Sequence, residues 1–124
     1  MESNQPMIRK RMLIVDDEVD ICDCLEQFFL TRGFTVESAY SGEEALNLLE
    51  RQEADILLLD IRLPGLSGME VLKRVRDRWP NIRIVMVTAM DRDDLKQKAR
   101  LYGAVDYVIK PFDFSETTWS AVLA

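Results

Sequence analysis

Asp16, Asp17, Asp60, Thr88 and Lys110 each stand at the close of a short, largely aliphatic run, and together they hold the groups that phosphoryl chemistry requires. The runs are Met12-Leu13-Ile14-Val15, Ile56-Leu57-Leu58-Leu59, Ile82-Arg83-Ile84-Val85-Met86-Val87 and Ala104-Val105-Asp106-Tyr107-Val108-Ile109. Three carboxylates brought together repel, by about 4 kcal/mol per pair at about 4 Å and an effective dielectric near 20. A cation relieves that repulsion, and hard oxygen donors favour Mg²⁺. With two cysteines and no histidine, the chain has too few soft ligands for a structural zinc site. Lys110 adds a second positive charge and Thr88 a hydroxyl donor. Arranged around one more carboxylate, this set suits a phosphoryl group, whose oxygens need positive charge and donors during transfer. Asp60 is then the nucleophile and the product an aspartyl phosphate. Taken singly, each residue has a plainer reading: Asp16-Asp17 as a helix cap, Thr88 as a strand residue, Lys110 as a solvated charge. Their joint placement at four strand ends is what favours the chemistry.

The elements that must position these groups follow from periodicity. Aliphatic runs of four to seven residues that stop at acids, glycine or proline read as strands buried on both faces. Phe34-Thr35-Val36-Glu37 alternates in polarity and reads as a half-exposed strand at the sheet edge. Between strands, apolar residues recur at helical spacing. Ile21, Leu25, Phe28 and Phe29 form one stripe, ended by Gly33. Ala45, Leu48 and Leu49 form a second, opened by the capping box Ser41-Gly42-Glu43-Glu44. Met69, Leu72, Val75 and Trp79 form a third, opened by Ser67-Gly68-Met69-Glu70 and stopped at Pro80. Asp91 with Asp94 is expected to cap a fourth helix carrying Leu95, Ala99 and Tyr102, and Ser115 a short last one. Five strands alternating with five helices describe an α/β fold, a doubly wound (βα)5 parallel sheet; right-handed crossovers limit its topology, and the order expected, 2-1-3-4-5, is taken over from the flavodoxin-like fold. In that order the four strand ends are neighbours and their polar groups converge on one crevice.

A chain of 124 residues suits one domain. Sixteen Lys+Arg against 22 Asp+Glu leave a net charge of −6, which disfavours direct binding to nucleic acid or to anionic membranes. The first residues lack the apolar stretch of a signal peptide and no run of 18 apolar residues occurs, so a cytoplasmic, non-membrane protein is expected. Cys22 and Cys24 lie two apart in a helical pattern, point away from each other and are expected to be packing thiols.

The motifs Val15-Asp16-Asp17-Glu18, Leu59-Asp60-Ile61-Arg62-Leu63-Pro64-Gly65 with Gly68, Val87-Thr88-Ala89 and Tyr107-Val108-Ile109-Lys110-Pro111-Phe112 occur in that order. They resemble the receiver family of two-component response regulators, and the likeness covers about residues 10 to 124. It implies a receiver domain over residues 11–124, and residues 1–10, which precede the first strand, are expected to be flexible. It further implies that Asp60 accepts phosphate and that Asp17, Asp60 and the backbone carbonyl of Arg62 ligate Mg²⁺, Asp16 acting largely through water. Thr88 and Lys110 would bind the phosphoryl oxygens, and Lys110-Pro111 resembles the family's cis peptide. Tyr107 would be an aromatic switch, although it reads equally well as an ordinary strand aromatic. Such a domain catalyses its own phosphorylation and dephosphorylation but serves chiefly as a switch.

Lacking histidine, the chain needs a donor: a sensor histidine kinase, a histidine phosphotransfer protein or a small acyl phosphate. The face formed by the fourth helix, fifth strand and fifth helix is expected to meet an output partner or a second copy in a homodimer. Arg62 and Met90, two positions after Asp60 and Thr88, either shield the phosphoryl group from hydrolytic water, tuning its lifetime, or point into solvent. A phosphatase that also uses an aspartyl nucleophile would want a second Asp where Arg62 stands, and no phosphate-binding Gly-x-x-x-x-Gly-Lys loop follows any strand. The remaining alternative is a pseudo-receiver that binds proteins without being phosphorylated.

Overall fold

The computed structural model describes residues 9–123, so most of the segment expected to be flexible lies outside the described residues. Strands and helices alternate as β1 Arg11–Val15, α1 Val19–Leu30, β2 Thr35–Ala39, α2 Gly42–Arg51, β3 Ile56–Leu59, α3 Gly68–Arg78, β4 Arg83–Thr88, α4 Asp93–Leu101, β5 Asp106–Ile109 and α5 Ser120–Leu123. All pairings are parallel, as the alternation of elements predicts, and the order is β2-β1-β3-β4-β5, that of the flavodoxin-like fold. Among the described residues no helix is long and apolar enough to cross a membrane.

Because successive strand residues face opposite ways, the aliphatic runs build two cores at once. Leu13, Val15, Leu57, Leu59, Ile84 and Met86 meet α2 and α3, whereas Met12, Ile14, Ile56, Leu58, Val85 and Val87 meet α1 and Trp119. The strand ends are in register, with Val15 beside Leu59 and Thr88 beside Ile109. Hydrogen bonding runs one residue beyond the strands: the amides of Asp16, Asp60 and Lys110 donate to the carbonyls of Ala39, Val15 and Thr88 at 3.1, 3.0 and 2.8 Å. Three of the candidate site residues are thereby fixed to the carboxyl edge of the sheet by their own backbone.

Both serine caps form. Ser41 Oγ accepts from the Glu44 amide at 3.1 Å and Ser67 Oγ from the Glu70 amide at 3.3 Å. Gly33 and Gly103 take φ of +91° and +104° just past α1 and α4, a conformation costly for residues with a Cβ.

Several expectations need correction. The buried stripe of α1 is Cys22, Leu25 and Phe29, rotated from the expected one because the small thiol lies against the sheet while Ile21 and Phe28 are only half-buried. Of the two expected packing thiols only Cys22 is buried; Cys24 is exposed. Helix α4 is not capped by Asp91 or Asp94: Arg92 holds the N-cap position without a side-chain cap bond. Asp94 is taken by the Arg92 guanidinium at 2.7 Å and Asp91 by Lys96 at 2.7 Å. Ser115 caps a turn instead of the last helix. Its Oγ accepts from the Thr118 amide, while Asp113 accepts from the Ser115 amide and the Thr118 hydroxyl. These local bonds compete with helix, which starts only at Ser120, after Trp119 has locked into the core between Phe29 and Phe112.

Candidate functional site

The crevice at the carboxyl edge is lined by Asp17, Glu18, Asp60, Arg62, Thr88, Ala89 and Lys110. Asp16 lies just beneath, only 2% exposed, with Asp60 at 4% and Thr88 fully buried. The Lys110 ammonium reaches 2.7 Å from Asp16 Oδ2 and 2.9 Å from Asp60 Oδ2, joining the first and third strand ends to the fifth. Asp16 spends its other oxygen on the Glu18 amide at 2.9 Å, and Asp60 accepts the Arg62 amide at 3.2 Å. Lys110-Pro111 is cis, as the resemblance implies.

Electrostatics favours an added cation. Burial, reinforced by the Asp60 charge, pushes Asp16 above the usual carboxylate range even though Lys110 and the Glu18 amide pull the other way. For Lys110, burial works to depress the pKa, but the hydrogen bonds it donates to Asp16 and Asp60 outweigh it and raise the group above an ordinary lysine. One ammonium thus faces the carboxylates of Asp16, Glu18 and Asp60, with Asp17 beside them.

The donor set fits Mg²⁺. Asp16, Asp17 and Asp60 each present a carboxylate oxygen, all within 4.8 Å of one another. Asp17 is exposed and takes no part in the ion pairs around Lys110, so its oxygens are available. Both oxygens of Asp16 are engaged, which suits a role through water rather than direct ligation.

Three contributors escaped the sequence reading. Gly68 opens α3 directly against the Asp60 backbone, its amide donating to the Ile61 carbonyl at 2.9 Å. A Cβ there would lie 1.9 Å from the Asp60 carbonyl oxygen, so only glycine lets the helix start so close behind the phosphoacceptor candidate. Its place in the motif hinted at a need for glycine without revealing the contact. Glu18 approaches Lys110 from the rim. The backbone of Met90 forms a relay: its amide donates to Thr88 Oγ1 at 3.4 Å and its carbonyl accepts from the Tyr107 hydroxyl at 2.6 Å. No side-chain pattern could have shown this.

Tyr107, half-buried, is thereby linked to Thr88 through two hydrogen bonds on the Met90 backbone. Of the two residues considered for lifetime, Arg62 lines the crevice, whereas the Met90 side chain packs against the core on the α2 and α3 side of the sheet.

Comparison with known proteins gives the same picture. Residues 12–120 match the family described as response regulator receiver domain. Sporulation initiation phosphotransferase F of Bacillus subtilis (strain 168) is 36% identical over 110 residues, covering 89% of each chain. Among solved structures, the CheX-CheY-BeF3-Mg²⁺ complex from Borrelia burgdorferi aligns with a TM-score of 0.88 at 30% identity, over 94% of this chain and 88% of that one. A CheY-like response regulator receiver domain protein from Methanospirillum hungatei JF-1 aligns with a TM-score of 0.83 at 32% identity, over 86% of both chains.

Proposed function

Since the chain belongs to the response regulator receiver family, we propose that Asp60 is its phosphoacceptor and that the crevice around it carries out the transfer. The observation that carries the assignment is the Lys110 ammonium held 2.9 Å from a nearly buried Asp60 at a strand end, with the open carboxylate of Asp17 beside it. An Asp60 oxygen attacks phosphorus as the P–N bond of a partner's phosphohistidine, or the P–O bond of an acyl phosphate, breaks. Lys110 turns from the carboxylate to the new phosphoryl oxygens, and the Thr88 hydroxyl donates to one of them. Mg²⁺, when held by Asp17, Asp60 and the Arg62 carbonyl with Asp16 acting through water, supplies further positive charge to those oxygens.

With no histidine in the chain, the phosphoryl group comes from a sensor histidine kinase, a histidine phosphotransfer protein or a small acyl phosphate. Transmission follows the Met90 backbone. As the Thr88 hydroxyl moves toward the phosphoryl group, the bonds to the Met90 amide and from Tyr107 to the Met90 carbonyl draw the β4–α4 connection and Tyr107 with it. The α4, β5 and α5 face then changes its affinity for an output partner or for a second copy of the domain. A pseudo-receiver would be expected to lack one of these groups, and all are present.

The test is intact-mass measurement after incubation with Mg²⁺ and a small phosphodonor. One acid-stable, base-labile phosphoryl group is expected on the wild type and none on Asp60→Asn; undiminished labelling of the variant would sink the assignment.

A further inference from the structure

Lys110 has a third acceptor that the transfer scheme does not use. Glu18 Oε1 lies 3.4 Å from Nζ, beyond the Asp16 and Asp60 contacts at 2.7 and 2.9 Å. Glu18 occupies the N-cap position of α1 but makes no side-chain cap bond, so its carboxylate is turned away from the helix and toward the ammonium. An ammonium has three N–H donors, and in the resting crevice each has a carboxylate within reach. The Asp16 and Asp60 side chains are 3% and 5% exposed and pinned by backbone amides, whereas that of Glu18 is 60% exposed. It is the partner most easily displaced.

We propose that Glu18 is a positioning residue that holds Lys110 from the rim in the resting protein and competes with arriving phosphoryl oxygens for it. It thereby sets how readily the crevice takes up a phosphate-like anion. The inference rests on the proposed transfer function and deepens it by naming the group that an incoming oxygen must displace. Once Lys110 has turned to the phosphoryl group, Glu18 is already released and has no further effect on the step itself.

Titration with beryllofluoride at saturating Mg²⁺, followed by Trp fluorescence or NMR, reads this without any chemistry. Glu18→Gln should bind roughly two- to fivefold tighter than wild type, the range expected for one exposed ion pair. Glu18→Asp keeps the charge but shortens the reach by one methylene, and should show a similar gain. Asp20→Asn removes an equal charge from the exposed start of the same helix without touching Lys110, and should give a distinctly smaller change. With a small phosphodonor, the half-saturating concentration should fall by the same factor. Binding by Glu18→Gln no tighter than wild type, an equal gain in Asp20→Asn, or Glu18→Asp at wild-type affinity would each overturn the role. Failure of the wild type itself to bind beryllofluoride with Mg²⁺ would instead overturn the function on which it rests.

Discussion

Gly68→Ala should separate the geometry of the site from the stability of the fold. The added Cβ would sit 1.9 Å from the Asp60 carbonyl oxygen, 2.6 Å from Ile61 Cα and 2.8 Å from the Asp60 carbonyl carbon. All three are backbone atoms, so no side-chain rotation can make room. Ordinary contact begins near 3.4 Å, and reaching it requires the Asp60–Ile61 peptide and the start of α3 to part by more than an ångström. Overpacking of this kind costs roughly 1–3 kcal/mol. The higher helix propensity of alanine returns less than about 1 kcal/mol, and little of that at the first helical position. A net loss of about 2 kcal/mol should lower Tm by roughly 6–12 °C for a domain of this size and leave the protein folded at room temperature. The larger effect should be on chemistry. A displacement of about 1 Å in a reacting group can cost on the order of 100-fold in rate, so phosphoryl uptake by Asp60 should fall far more than stability. Urea unfolding and time-resolved intact-mass labelling would be measured side by side, with Gly33→Ala as reference. Gly33 has φ of +91° and nothing within 4 Å of its Cβ position, so that change should strain the α1–β2 turn without touching labelling. Wild-type labelling in Gly68→Ala, or an equal rate loss in Gly33→Ala, would refute the reasoning.

Three further outcomes are expected. Asp16 has its pKa raised in the fold, chiefly by burial, so its stabilising contribution is complete below its ordinary value of 3.8 and is lost as pH rises through the folded value. In metal-free buffer Asp16→Asn should therefore be more stable than wild type at pH 7 by urea unfolding, the gap closing as pH falls toward 4, and a gap that widens on acidification would contradict the sign. Tyr107→Phe removes the 2.6 Å bond to the Met90 carbonyl, which should lower stability by about 1 kcal/mol and shrink beryllofluoride-induced NMR shifts on α4 and β5 while leaving those in the crevice. Because Arg62 lines the crevice and the Met90 side chain does not, Arg62→Asn should shorten the phosphoryl lifetime more than Met90→Glu at fixed Mg²⁺; the reverse order would show that Met90 reaches the site.

The sheet and its crevice were legible because they rest on patterns that survive without coordinates. Uninterrupted aliphatic runs mark strands buried on both sides, and a polar residue closing each run marks the carboxyl edge, which is how Asp16, Asp60, Thr88 and Lys110 could be placed together. The serine caps of α2 and α3 were readable because the bonding partners lie three residues away. Where partners compete, local rules failed. Asp91 and Asp94 have the chemistry of caps but lie beside Lys96 and Arg92, and the cations prevailed. Ser115 has the chemistry of a helix start, yet the Asp113 and Thr118 network closes a turn around it. Contacts made by a missing side chain, as at Gly68, or by backbone alone, as at Met90, leave no trace in residue type.

Met90 joins the Thr88 hydroxyl to the Tyr107 hydroxyl through its amide and its carbonyl, groups that nineteen of the twenty amino acids share. Its side chain is thus free to be exchanged without cutting the connection, proline alone excepted. A sequence change there can alter packing against the core while both hydrogen bonds persist. Packing beneath the β4–α4 connection can thereby vary while the two backbone bonds stay in place.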